Sequence, residues 1–528
     1  MHFDLNAIID LIVIAGYFFA VIYVGLVFGQ KEKSLESFAL GGRSIPWWAV
    51  LASIIAAETS AATFLGTPGE GYKLVNYTYL QLVLGMIIGR IIVAFVFIKP
   101  FYDNNVFSIY EYLQYRFGPG TRKAASAIFL VTRILASGAR LYVAAIVLAV
   151  AYTLITGTQP TTTQQFFIYL TSIVIITFVT AIYTAIGGIK AVIWTDCIQS
   201  SVMIGGAIGA IAVICNQLNP GQLEHLIQTG NLSMITVGIN QQVGILQNLQ
   251  SILTADYTIW AALIGMTFTT LATHGTDQDM VQRMLTAPDY KKSRTSLVLS
   301  GIADLPIGFI FLTIGILLNL YFQSHVEPQL PKKTNEVFAF FILKDVPVGL
   351  RGLLIAGIFA TSMGSLSAAL NALATSFTRD FGNLKKEHED DEQAVNSVRK
   401  FTYVFAILVV IVAVATAYFV IEHPDSRIIP IVLGIFGYTY GSMLGIFLLG
   451  LLTKSRGNDR GNYIGMFVGF VVVAIFSGLL AGTLELIGLP QASKALSVVP
   501  TVGFPWRIML GALITMACAA LFRTPAKE

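Results

Sequence analysis

An acid and three hydroxyls interrupt an apolar run early in this chain. Residues 47–64 read Trp47-Trp48-Ala-Val-Leu-Ala-Ser-Ile-Ile-Ala56-Ala-Glu58-Thr59-Ser60-Ala-Ala-Thr63-Phe. A carboxylate placed there can accept hydrogen bonds from the hydroxyls or amines of a solute, or balance a cation. If the run crosses a bilayer, burying the acid costs at least a few kcal/mol, so it faces a cavity or a partner. A later apolar run loses its character in the same way, at Thr269-Thr270-Leu-Ala-Thr273-His274-Gly275-Thr276-Asp277-Gln278-Asp279. These residues also have a plainer reading. Serine and threonine in a helix often only bond the carbonyl one turn back, and a lone histidine is often a satisfied core residue.

A third stretch carries small residues and hydroxyls together: Gly357-Ile-Phe-Ala360-Thr361-Ser362-Met-Gly364-Ser365-Leu-Ser367-Ala-Ala-Leu-Asn371. Such a stripe suits close helix packing, for which Gly, Ala and Ser are the usual residues. It equally suits a sodium site, because oxygen ligands suit hard cations. The residues alone leave both readings open. Arg133 and Arg140 share one apolar run and, seven residues apart, face similarly on a helix. Either can pair bidentately with a carboxylate, of a solute or of another helix. Asp10 and Asp304 lie toward the ends or periphery of their runs and read as structural or interfacial.

The elements that hold these residues are set by composition. Only 12% of the 528 residues are charged and 55% are hydrophobic, about half the charge of an ordinary soluble domain. That excludes a water-soluble enzyme, a nucleic-acid-binding protein and a disordered scaffold. The three cysteines, Cys197, Cys215 and Cys518, all lie in apolar runs and read as packing residues. Stretches of about 20 apolar residues, enough to span a bilayer, recur roughly 13 times. The second covers 46–65, the fourth 125–152, the fifth and sixth 167–186 and 191–215, the seventh 252–273, the ninth 350–376 and the last 508–522. The first run is too long for the apolar core of a signal peptide and follows an acid, Asp4. No connecting segment is long enough for a further domain. The mixed-charge run 385–393 (KKEHEDDEQ) reads as a solvated linker.

Basic residues fall in alternate loops, among them Lys31, Lys33, Arg43, Arg116, Arg122, Lys291, Lys385, Lys454 and Arg456. The loop with Lys332, Lys333 and Lys344 is the exception. The positive-inside rule then places the N-terminus outside and the C-terminus in the cytoplasm, as an odd number of spans requires. The interruptions of spans two and seven are five spans apart. That is the offset of two inverted five-helix units with one helix added in front, and transporters place their sites at such broken helices.

The chain resembles the sodium/solute symporter family over nearly its whole length. The likeness is carried by Phe38-Ala-Leu-Gly-Gly-Arg43 with Pro46-Trp47-Trp48-Ala49, by Gly187-Gly188-Ile-Lys-Ala-Val-Ile-Trp194-Thr195-Asp196-Cys-Ile-Gln199, by Gln278-Asp279-Met-Val-Gln282-Arg283 and by Ser365-Leu-Ser-Ala-Ala-Leu-Asn371. The resemblance implies an all-α polytopic membrane fold of leucine-transporter-like inverted repeats plus extra helices. The expected units are an extra helix at 1–30, repeats at 45–216 and 250–455, and C-terminal helices at 460–528. It implies sodium bound between the Ala56 and Thr59 carbonyls on one side and Thr361, Gly364 and Ser365 on the other. Many relatives have two adjacent hydroxyls where this chain has Gly364-Ser365. Some members use a second sodium near the aspartate of the WTD motif, which Asp196 matches, with Ser367 placed to face it. The solute cavity implied by the family is lined by Glu58, Ser60 and Thr63, with Gln81 as an approximate match and Thr273 and His274 near the break of the seventh span; Arg133 and Arg140 remain candidates from their residue type and spacing. The run 64–72 looks like the monocarboxylate, vitamin and iodide branch, and the QD-V-QR piece like the sialic acid carriers, so no single substrate follows.

The expected function is sodium-coupled symport of a small polar organic solute, a sugar, sialic acid or organic anion, across the cell membrane by alternating access. Sodium is the coupling ion. The partners are the solute and the bilayer, with no nucleic acid and no obligatory protein. A sodium-independent uniporter or proton-coupled carrier on the same fold is the alternative, and a membrane solute sensor a further one. No HExxH, GxSxG or paired metal pattern speaks for an enzyme.

Overall fold

The computed structural model describes residues 5–29, 34–230, 232–240, 242–382, 392–423 and 428–524, and its regular elements are helical. In chain order the principal helices are α1 (Leu5–Gly29), α2 (Trp47–Glu58), α3 (Ala61–Leu74), α4 (Leu82–Val96), α5 (Pro119–Leu141), α6 (Thr162–Gln217), α7 (Thr267–Gly275), α8 (Gln278–Met284), α9 (Tyr290–Ser324), α10 (Leu350–Phe381), α11 (Glu392–Glu422), α12 (Ile428–Leu452), α13 (Asp459–Phe476) and α14 (Phe504–Ala520). Short helices and turns connect them. Most of the charged run expected to be a linker, residues 385–391, lies outside the described residues, as do Lys31, Lys33 and the end of the C-terminal tail.

Among the described residues, nine helices are long and apolar enough to cross a membrane, or ten if Leu35–Arg43 and Trp47–Glu58, bent by 110°, form one span. The sequence gives roughly 13 apolar runs, and the difference has physical causes. The fifth and sixth runs are continuous in α6, which turns at Gly188. There φ is 56°, and an added Cβ would stand 2.6 Å from the Phe38 carbonyl oxygen, so glycine is required. The second run is cut between α2 and α3. The seventh is a π-helical turn, Ala261–Met266, followed by the short α7. The last is α14, only 17 residues long.

α10 is the central element. It lies along α6 and also meets α1, α5 and α11, and it is buried on nearly every face. Its Gly, Ala and Ser content lets these neighbours approach closely. Both of its ends are tied by carboxylates. At the start, Asp10 of α1 accepts hydrogen bonds from the Gly349 and Gly352 amides at 2.8 and 3.0 Å and from Arg351 Nε at 2.5 Å. An acid at a helix N-terminus satisfies amides that the helix itself leaves unpaired. At the other end, Asp380 accepts from Arg122 Nε at 2.8 Å and from the Ser108 and Ser126 hydroxyls at 2.9 and 2.6 Å. α9 runs along α3, and α12, α13 and α14 pack together, with α12 also against α5. Of the three cysteines expected to pack, Cys197 and Cys518 are half-buried, but Cys215 is exposed. It sits near the end of α6 on a face that only the bilayer or solvent covers.

Candidate functional site

The break between α2 and α3 is local in origin. Thr59 leaves the helix at φ −80°, ψ 79°, and Ser60 is extended at φ −79°, ψ 171° before α3 begins. The Ser60 amide donates to the Glu58 carbonyl, 2.9 Å, in place of the Ala56 carbonyl one turn back. The Thr63 and Phe64 amides then bond to the Ser60 carbonyl to start the next helix. Two residues of extended chain thus free carbonyl oxygens in the middle of the bundle, and α10 passes beside them. The Ser365 hydroxyl donates to the Ala57 carbonyl at 3.2 Å. Thr361 turns its hydroxyl to the Ile358 carbonyl of its own helix, 2.9 Å. The Ser362 hydroxyl is buried with no hydrogen-bond partner.

The same break opens on a cavity of about 220 Å³. Glu58, Thr59, Ser60, Thr63, Thr273, His274, Arg133 and Arg140 all line it, so the structure gathers residues that are up to 216 positions apart in sequence. Gln81 is a correction. It does not line the cavity, because its Oε1 accepts from the Thr236 amide at 3.2 Å and holds the 232–240 loop. Met86, Met266, Phe436 and Tyr79 complete a mostly apolar wall, as is usual for a small-molecule site. A smaller recess continues from Ser60, Arg133 and Arg140 to Ser362 and Ser365 on α10.

Two charge clusters flank the cavity. In the first, Glu58 is bonded through both carboxylate oxygens to Arg90 of α4, whose Nη2 also lies 2.7 Å from Asp304 of α9. His274 Nε2 stands 2.7 Å from Glu58 Oε1, and the ring's Nδ1 is 3.0 Å from the Thr273 hydroxyl. Asp304, expected to be structural or interfacial, instead lines the cavity. The reason is its position on α9, which brings it beside Arg90. In the second cluster Arg133 is paired to Asp277, 3.0 Å, and to Asp279, and Tyr440 donates to Asp277 at 2.7 Å. Asp277 is the break residue between α7 and α8, so Arg133 is engaged in holding that break. Arg140 makes no ion pair among the described residues. Its guanidinium lies over the Phe436 ring, 5.1 Å from the centroid. Asp304 and Asp277, which line the cavity, and Arg90, buried behind it, are residues that sequence reasoning did not select. A charge inside an apolar run is their common signal, and only the fold says which of those charges meet.

Asp196 is wholly buried on α6. Its Oδ2 accepts from Ser53 at 2.5 Å and lies 3.4 Å from Arg283 Nη2. Ser367, expected to face it, turns its hydroxyl to the Gly364 carbonyl, 3.1 Å. A side chain at Gly364 would need Gln199 to move. A Cβ there would collide with Gln199 Oε1 and stand 3.2 Å from Asp196 Oδ1.

The sequence pattern of the Sodium:solute symporter family matches residues 38–469. The Sodium/sialic acid symporter SiaT of Proteus mirabilis (strain HI4320) is 28% identical over 454 residues, 84% of this chain and 85% of that protein. Sodium-coupled monocarboxylate transporter 2 of Mus musculus is 28% identical over 455 residues, 84% of this chain and 68% of that protein. A substrate-bound, outward-open structure of a Na+-coupled sialic acid symporter superposes with a TM-score of 0.76 at 25% identity, covering 97% of each chain. The all-helical polytopic fold, with its two broken helices at the cavity, is therefore the leucine-transporter-like fold expected from the sequence, and the protein is a membrane transporter, not an enzyme. A pattern that spans most of the chain, on a fold whose second span breaks beside a solute-sized cavity, has one conclusion: the chain belongs to the sodium:solute symporter family and is a sodium-coupled solute symporter.

Proposed function

We propose that the protein imports a small organic solute carrying a carboxylate, and that Arg140 receives that carboxylate. The observation that carries this reading is the contrast between the two cavity arginines. Arg133 is paired to Asp277 and Asp279, whereas Arg140 faces the same cavity with no ion pair among the described residues. A half-buried guanidinium with no ion pair is left to find a partner in the cavity, and a planar carboxylate is its natural bidentate partner. Sialic acid and monocarboxylates, after which the relatives are named, share that group.

In this reading sodium binds at the break of the second span. The Ala56 and Thr59 carbonyls supply one side, and Thr361, Gly364 and Ser365 of α10 the other. The oxygen-only donor set fits a hard cation. Ser365 already bridges α10 to the break, so an ion there holds the two together. Coupling follows if sodium binds better to the arrangement in which Glu58, Ser60 and Arg140 face the solute, since a ligand shifts only the equilibrium it binds differentially. The moving parts are two inverted units at 45–216 and 250–455, with 1–30 and 460–528 outside them, and the N-terminus is outside and the C-terminus inside, a reading that the alternation of basic loops supports.

The test is uptake by proteoliposomes under an inward sodium gradient, with sialic acid, short monocarboxylates and neutral sugars offered separately. The expected result is accumulation of a carboxylate above its external concentration, abolished when the sodium gradient is collapsed. Accumulation of a neutral sugar with no carboxylate transported would overturn the reading.

A further inference from the structure

We propose that the acidic end of the cavity, Glu58 with Asp304, is a subsite for a protonated amine, so that the transported solute is a zwitterion. The proposal rests on the reading of Arg140 as the carboxylate site and adds the solute's second charged group. Glu58 and Asp304 both line the cavity, while Arg90, which they share, is fully buried behind them and does not line it. One guanidinium between two carboxylates leaves one negative charge uncompensated, and that charge is presented to the solute.

The neighbouring ring is turned to Glu58 and not to Asp304. His274 Nε2 stands 2.7 Å from Glu58 Oε1, and its Nδ1 is 3.0 Å from the Thr273 hydroxyl. Around the two breaks, five carboxylates (Glu58, Asp196, Asp277, Asp279, Asp304) face four guanidiniums (Arg90, Arg133, Arg140, Arg283). A single sodium at the α2 break neutralises this set while the cavity is empty. A carboxylate arriving at Arg140 then makes it negative again, and an ammonium on the same solute restores neutrality. Within a membrane protein the difference is large, because an unbalanced buried charge is expensive.

The chemistry of the subsite suits an ammonium. An ammonium offers three donors on one atom and brings the positive charge. A sugar hydroxyl can donate to the same oxygens but brings no charge. A metal ion is a poor match, since no group of three His, Cys, Asp or Glu among the described residues is arranged to hold one.

The experiment uses purified full-length protein and matched pairs of carboxylates that differ at one position, where an amine replaces hydrogen or hydroxyl: L-alanine and propionate, γ-aminobutyrate and butyrate, D-glucosaminate and D-gluconate. Binding is measured by calorimetry with and without sodium. The expected result is that, in the pair that binds, the amine-bearing member binds at least tenfold more tightly and requires sodium. Asp304→Asn should then remove or reverse that preference while the amine-free member keeps its affinity. Sodium-dependent thermal stabilisation shows that the variant is folded, and the pair comparison in the parent protein stands without it. If amine-free members bind as tightly as their partners, the amine subsite is wrong and the Arg140 reading survives. If none of these carboxylates binds in either form, the amine subsite is wrong, and sialic acid uptake decides the Arg140 reading separately.

Discussion

The Ser365 hydroxyl crosses from α10 to the interrupted second span and donates to the Ala57 carbonyl at 3.2 Å. This is a direct polar link between the most buried of the candidate spans and the break on which the solute cavity opens. It ties a side chain that is partly exposed to a carbonyl oxygen left beside the kink. An ion that gathers the nearby Ala56 and Thr59 carbonyls would need Ser365 to turn from Ala57 toward it, a small rotation of one hydroxyl.

Ser365→Ala should therefore weaken sodium binding while leaving the fold intact. Removing one of about five oxygen donors is expected to raise the sodium concentration needed for half-maximal effect by tenfold or more, about 1.4 kcal/mol. The melting temperature without sodium should barely change. Sodium titrations of thermal stability and of solute uptake both read this. An unchanged sodium requirement would remove Ser365 from the ion site.

Gly364→Ser, which would restore the adjacent hydroxyls many relatives carry, should destabilise this protein. The new Cβ has no room beside Gln199 Oε1 and Asp196 Oδ1, and overpacking of this kind costs about 1–3 kcal/mol. Gln199→Ala in the same chain should recover much of the loss, because the two changes share one contact. Thermal unfolding of the two single variants and the double variant in detergent tests this. A Gly364→Ser protein as stable as its parent would show that Gln199 moves aside freely.

Much of this arrangement is legible in the sequence because a bilayer penalises polar residues that do nothing. Glu58-Thr59-Ser60 inside an apolar run announces the break of the second span, and His274 to Asp279 announces the second one. What the sequence does not carry is pairing at long range. Arg90 and Asp304 each look like stray charges on separate spans. Only the packing of α4 against α9 makes them partners of Glu58. Gln81 is misread for the opposite reason. It is polar and lies on the span after the break, yet the neighbour a residue meets is not written in one residue type, and its side chain serves the 232–240 loop.

Arg133 and Arg140 should separate cleanly by mutation. Arg140→Gln is expected to weaken carboxylate binding at least tenfold while sodium still stabilises the protein. Arg133→Gln should instead lower stability by about 3–5 kcal/mol, because it strips the partner from Asp277 and Asp279 at the second break. Solute affinity and thermal unfolding, measured on both variants, distinguish the two roles. If Arg133→Gln folds normally and loses solute binding alone, the assignment of the carboxylate to Arg140 is wrong.

A single sodium per transport cycle is expected, and the reason lies at Asp196. A second ion there would need the carboxylate to be short of positive charge, but Arg283 Nη2 stands 3.4 Å from Asp196 Oδ2 and Ser53 donates to the same oxygen. The Ser367 hydroxyl, the other donor such a site would use, is turned to the Gly364 carbonyl. Sodium activation of uptake should accordingly show a Hill coefficient near one. Asp196→Asn should leave that coefficient unchanged while costing about 3 kcal/mol of stability, since it takes the charge partner from a fully buried guanidinium whose other acid, Asp279, is 3.9 Å away. A parent coefficient near two that falls to one in Asp196→Asn would mean that the carboxylate releases Arg283 to take an ion.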